Sequence, residues 1–210
     1  MTNPEQRLMS DSHGPQEDLA YLKRLVAEPH DRPLQAAAAL LWGGGLYGAQ
    51  CFVQWLQAIG RVNLSPLAGL AVGLGPTIVF LIVLTILVKR DGAAFPKGGA
   101  AARAANGAFA AIGLTNLAMI MVFGFNAWRR ADFLIWELYP AVVFALQGAA
   151  WITVYTIRRQ GWALVVGLGW LVSSVLLGLL IGTSTYVLVA AVALILLMAL
   201  PGLVILRRAG

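Results

Sequence analysis

WALVVGLGWLVSSVLLGLLIGTSTYVLVAAVALILLMALPGLVIL, Trp162 to Leu206, contains no Asp, Glu, Lys or Arg. A membrane span needs roughly 20 apolar residues, each adding about 1.5 Å of helix. This stretch exceeds 40 residues and is interrupted only at Gly182-Thr183-Ser184. Its length predicts two spans, about Trp162–Gly182 and Ser184–Leu206, joined by a tight turn, rather than one re-entrant hairpin. Inside hydrocarbon the backbone must satisfy its own hydrogen bonds, so each span is expected to be a helix.

Upstream the pattern repeats. Apolar runs at about Leu34–Ile59, Ser65–Val88, Ala105–Ala127 and Phe133–Ile157 bring the count to six. The sequence therefore predicts an all-α fold: a polytopic membrane helix bundle with six transmembrane helices. Composition agrees, since 60% of the 210 residues are hydrophobic and 11% charged, against roughly 25% charged in soluble domains. Two parts are expected, a polar cytoplasmic segment over 1–33 and the six-helix domain over 34–210.

The first 33 residues hold six of the nine acids; beyond them only Asp91, Asp132 and Glu137 remain. Residues 1–14 are polar and predicted to have no fixed structure. Their lack of an apolar core argues against a signal peptide, and Thr2 after the initiator methionine argues against myristoylation. A short amphipathic helix is predicted next. Pro15, Glu17 and Asp18 suit its first turn, Leu19, Leu22, Leu25 and Val26 form its apolar face, and Pro29 ends it. A helix tethered beside a first span is expected to lie on the membrane surface as an interfacial helix. Its other reading is a docking face for a soluble protein partner.

Orientation follows from the basic residues. Of the 15 Lys and Arg, all but Arg61, Arg129 and Arg130 fall in the N-terminal segment, the second-to-third and fourth-to-fifth connections, and the C-terminus. By the positive-inside rule both termini are cytoplasmic. The net charge of +6 is thus a topology signal spread over helix ends, and nucleic-acid binding is not expected. The 91–99 connection, with Asp91-Gly92 and Pro96-Lys97-Gly98-Gly99, is the one sizeable internal loop and carries no motif.

Glu137 is the one acid placed well inside a span, about one turn from the outer start of the fourth. A carboxylate there needs a partner or a cavity. It is read either as a proton- or cation-binding group or, preferentially, as an interfacial acid paired with Arg129, Arg130 or Arg61. Helical phase adds neutral polar groups. Gly43, Tyr47, Gln50, Gln54 and Gln57 form one stripe on the first span. Asn116, Met119, Phe123 and Asn126 form another on the third, and Glu137, Pro140, Phe144, Gln147 and Trp151 a third on the fourth. Gln50, Gln54, Asn116, Asn126, Glu137 and Gln147 are therefore the candidate ligand-binding residues of a polar pocket between helices one, three and four. The plainer expectation is that these amides bond to one another between helices, at about 0.6 kcal/mol per contact.

Gly44-xxx-Gly48, Gly69-xxx-Gly73 and Gly178-xxx-Gly182 allow close helix approach, within the chain or in a homodimer. Gly75-Pro76 and Pro140 each free a backbone carbonyl and permit a kink, though prolines are also simply common in membrane helices. Trp42, Trp55, Trp128, Trp136, Tyr139, Trp162 and Tyr186 are expected at the membrane interfaces. Cys51 stands alone, His13 and His30 are isolated, and no catalytic set, nucleotide motif or metal cluster is read, so no cofactor and no enzyme activity are expected.

EDLAYLKRLVAE, Glu17 to Glu28, with its charged linker and first span, resembles the opening of small uncharacterised bacterial inner-membrane proteins of six spans. WELYPAVVFALQGAAW, Trp136 to Trp151, is similar to their fourth span. The resemblance implies a multi-pass inner-membrane protein and no activity, substrate or cofactor. The function expected is a non-enzymatic accessory or regulatory membrane component; the alternative is a small transporter or channel using the polar pocket.

Overall fold

The structure, a computed structural model, describes residues 34–90 and 100–209. The N-terminal amphipathic helix and the 91–99 loop lie outside the described residues. Six helices account for nearly everything else: α1 Leu34–Ala58, α2 Pro66–Arg90, α3 Ala100–Arg130, α4 Phe133–Arg158, α5 Gly161–Leu179 and α6, which begins at Ser184. All six are long and apolar enough to cross a membrane, and no strand occurs among the described residues. The chain is an all-α, multi-pass membrane protein.

α5 and α6 are separate spans, as their combined length required. Between them Gly182 adopts a φ of +77°, a left-handed conformation that costs glycine little because it has no Cβ. Thr183 closes the turn by donating both its N–H and its hydroxyl to the Leu180 carbonyl, at 3.0 and 2.6 Å.

The helices are not arranged in chain order. α1 packs on α6 and α2, α4 on α5 and α3, and α5 on α6. The spatial sequence is α2, α1, α6, α5, α4, α3, with α2 and α3 at its two ends. The core lies where α4, α5 and α6 meet, around Phe144, Trp151, Val166, Trp170, Leu177 and Tyr186. No residue from Pro66 to Lys89 is buried, and in α3 Ala105 alone is, among the described side chains.

Small residues decide these neighbours. Lipid tails are as apolar as leucine, so helices in a membrane associate by close packing rather than by hiding oily faces. At the α4–α5 crossing Gly148 faces the Gly167 carbonyl, and a Cβ at 148 would come within 3.0 Å of it. At the α1–α6 crossing a Cβ on Gly202 would sit 2.6 Å from both the Ala37 carbonyl oxygen and the Leu41 nitrogen. Gly44 is pressed on the backbone of α6 in the same way, against Ala199 N and Leu194 O. There α6 is not a regular α-helix. It runs Ser184–Leu194, widens into a π turn over Ile195–Ala199, and resumes over Leu200–Ala209. The π turn ends two residues before Pro201, which has no N–H to donate, and the Leu200 N–H reaches Ile195 O.

The glycine pairs separate accordingly. Gly44 and Gly48 are used within the chain, against α6. Gly69, Gly73 and Gly178 have nothing within 4 Å of a built Cβ.

Candidate functional site

Glu137 lies one turn into α4, behind an N-cap in which Asp132 Oδ1 accepts from Leu134 N at 3.0 Å. Its carboxylate Oε2 accepts from the backbone N–H of Gly182 at 3.1 Å. Among the described residues no ion pair links it to Arg61, Arg129 or Arg130. The expected arginine pairing is therefore corrected: the acid ties the start of α4 to the α5–α6 turn. A backbone N–H in a tight turn has no helical acceptor, so a side-chain oxygen from the neighbouring helix satisfies it.

Pro140 lies between the next two contacts. Its ring removes one helical hydrogen bond and loosens the turn before it. Within that turn, the Glu137 carbonyl accepts from Tyr186 OH at 2.6 Å. One residue beyond the proline, the Ala141 carbonyl accepts from Ser174 Oγ at 2.7 Å. Tyr186 stands in the first turn of α6, at a span end as expected, and is buried at 8% exposure while its hydroxyl serves this carbonyl of α4.

α2 repeats the device. Gln50 Nε2 donates at 3.2 Å to the Gly73 carbonyl, three residues before Pro76. Beside it Tyr47 OH donates to Thr77 Oγ1 at 3.3 Å, with its ring edge-on to Phe80. Gln50 thus belongs to the α1–α2 seam, not to a surface shared with α3 and α4. Its Oε1 is buried without a partner.

The remaining candidates divide. Asn126 donates to Val122 O of its own helix at 2.8 Å. Phe109 meets Trp151, and Phe123 meets Tyr139, with ring centroids 5.7 and 6.1 Å apart. These two pairs set the antiparallel register of α3 and α4 and put Asn116 opposite the Phe144–Gln147 turn, the depth its sequence position implied. Asn116 Oδ1 is buried and unpartnered. Gln54 and Gln147 are half-buried and make no hydrogen bond among the described residues. α1 and α3 share no substantial contact. The pocket expected between helices one, three and four is not closed: its α1 side is bonded to α2, and its α3 and α4 sides form a separate seam.

No known protein family, characterised protein or solved structure matches the chain.

What the site can do chemically is set by amides and phenols. They bond neutral polar groups and supply no acid or base at neutral pH. Glu137 is the one carboxylate among them, and a backbone N–H already holds it. No group of three metal-ligating side chains occurs among the described residues. Cys51, half-buried on α1, is a single thiol.

Proposed function

We infer that this chain is a non-enzymatic accessory or regulatory component of a bacterial inner membrane, with both termini in the cytoplasm. The distribution of basic residues supports the orientation. The observation that carries the function is the pair of open ends: α2 and α3 each have one substantial neighbour, and both leave nearly all their side chains outside the core. Such lateral surfaces suit association with another membrane protein. Photo-crosslinking residues placed at Leu74 and Leu81 on α2, and at Val122 on α3, all exposed, should capture a defined partner in membranes. Val172 and Val175, on the exposed face of α5, are the control. Absence of adducts, or equal adducts from all positions, would overturn this reading.

A transporter or channel is the second reading, favoured by the unbonded amides of Asn116, Gln147 and Gln54. It requires aqueous access. In a Cys51→Ala background, a cysteine at 147 should then react with a membrane-impermeant thiol reagent, and silence there rules the reading out.

A further inference from the structure

At the turn between α3 and α4 the chain builds an open hollow of about 460 Å³. Its floor is small, made by Gly124 and Ala127, and its walls are aromatic, made by Trp128, Phe133 and Trp136. Ala131 and Asp132 form the rim. Gly124 gives the space: a Cβ there would stand 3.5 Å from the Trp136 ring, so that indole lies directly over the α3 backbone. Stacking on Tyr139 holds Trp136 in place, with centroids 5.2 Å apart. Trp128 is braced by Phe125 at 6.1 Å. Ala131 adopts a φ of 51°, which turns the chain sharply enough to bring both helix ends to one hollow.

Aromatic faces attract cations through the ring quadrupole, and cages of them select alkylammonium groups. Asp132 adds negative charge. Its Oδ1 is occupied as the α4 cap, and its Oδ2 has no partner among the described residues. Arg129 and Arg130, exposed in the last turn of α3, directly precede Ala131 of the rim in the chain and carry guanidinium groups that suit a phosphate. A place for a cation and a place for an anion therefore adjoin.

The surroundings identify the source of such a ligand. Trp128 is 79% exposed at the end of an apolar span, the depth at which lipid headgroups lie. Leu114, Leu117 and Met121 run away from it on the same helix face at 70%, 61% and 74% exposure, an apolar track leading from the hollow toward the membrane centre. We propose that this hollow binds a zwitterionic phospholipid, its ethanolamine or choline ammonium against Trp128, Trp136 and Asp132, its phosphate at Arg129 and Arg130, and an acyl chain along the α3 track.

The test is native mass spectrometry of the full-length protein in mild detergent. The probes are phosphatidylethanolamine, phosphatidylcholine and phosphatidylglycerol with identical acyl chains, with free phosphocholine as a separate titrant. Wild type should retain the two zwitterionic lipids in preference to phosphatidylglycerol. Asp132→Asn keeps a capping oxygen, since asparagine caps as well as aspartate, but removes the charge. It and Trp128→Leu should each weaken zwitterionic lipid binding roughly 3- to 5-fold with no such loss for phosphatidylglycerol. Trp128→Phe, which keeps a weaker aromatic face, should lose less. Equal retention of all three lipids would overturn the proposal, as would unchanged binding in both Asp132→Asn and Trp128→Leu. Phosphocholine binding as tightly as the lipids would overturn the lipid assignment in favour of a soluble ligand.

Discussion

Tyr186 OH lies 2.6 Å from the backbone carbonyl of Glu137, in the helical turn that Pro140 loosens. Tyrosine at this position joins α6 to α4 at the depth where α4 can least hold itself together. Tyr186→Phe keeps the ring in the seam and removes only the bond. It should destabilise the protein by about 1 kcal/mol, within the range measured for hydrogen bonds between membrane helices. Unfolding of the detergent-solubilised protein by SDS titration would read this, and an unchanged midpoint would show that the carbonyl finds another donor.

Glu137 separates charge from hydrogen bonding. Its contact to Gly182 N–H needs an acceptor oxygen, not a negative charge. Glu137→Gln retains an oxygen and should shift stability by less than about 0.5 kcal/mol, whereas Glu137→Leu should cost about 1 kcal/mol by leaving the turn N–H unpaired. A large loss in the glutamine variant would mean that the charge itself has a partner.

The glycines give a contrast between engaged and open positions. Gly44→Ala places a methyl on the backbone of α6, and Gly202→Ala places one 2.6 Å from Ala37 O. Overpacking of this kind costs about 1–3 kcal/mol. Gly69→Ala and Gly113→Ala meet nothing within 4 Å and should be neutral, or stabilising by up to about 1 kcal/mol through helix propensity. Thermal inactivation of all four variants would order them. Loss of a dimer in Gly69→Ala alone would instead place a second copy on α2.

Gln50 and Pro76 should be energetically coupled. Gln50→Leu removes the donor to Gly73 O and should cost about 0.6 kcal/mol. With Pro76→Ala the helix regains the N–H that bonds Val72 O, and a regular turn in which Thr77 N–H serves Gly73 O, so the same Gln50→Leu change should then cost less. A double-mutant cycle measures the difference directly, and additive effects would refute the coupling.

The Glu137–Gly182 bond also fixes which turns share a side, because it places the α3–α4 and α5–α6 turns at one end of the bundle. In a Cys51→Ala background, cysteines at Ala131 and Thr183 should label together from outside the cell, and one at Lys97 should not. Labelling of 131 and 183 from opposite sides would contradict the fold; labelling of both only from within would reverse the orientation.

The number of spans and their helical nature were legible in the sequence, and most of their limits, though α3 runs Ala100–Arg130 where the apolar run marked about Ala105–Ala127. Trp162–Leu206 had to be two helices, because lipid offers a backbone no other partner and the stretch is too long for one crossing. The depth match of Asn116 with Gln147 was legible too, since rise per residue fixes depth once the turn is known. Which helices touch was not. α2 and α6 are apolar on every side, and hydropathy cannot tell a lipid-facing surface from a helix-facing one when both are equally oily. Shape decided instead: Gly44 and Gly202 let α1 and α6 approach backbone to backbone, and the π turn before Pro201 provides the surface that Gly44 meets. That choice drew Gln50 to the carbonyl near Pro76, placed Tyr186 at the carbonyl near Pro140, and left α2 and α3 as the open ends. The polar residues could be named from the sequence, but their partners depended on a steric fit between glycines in α1 and α6, more than 150 positions apart in the chain for Gly44 and Gly202.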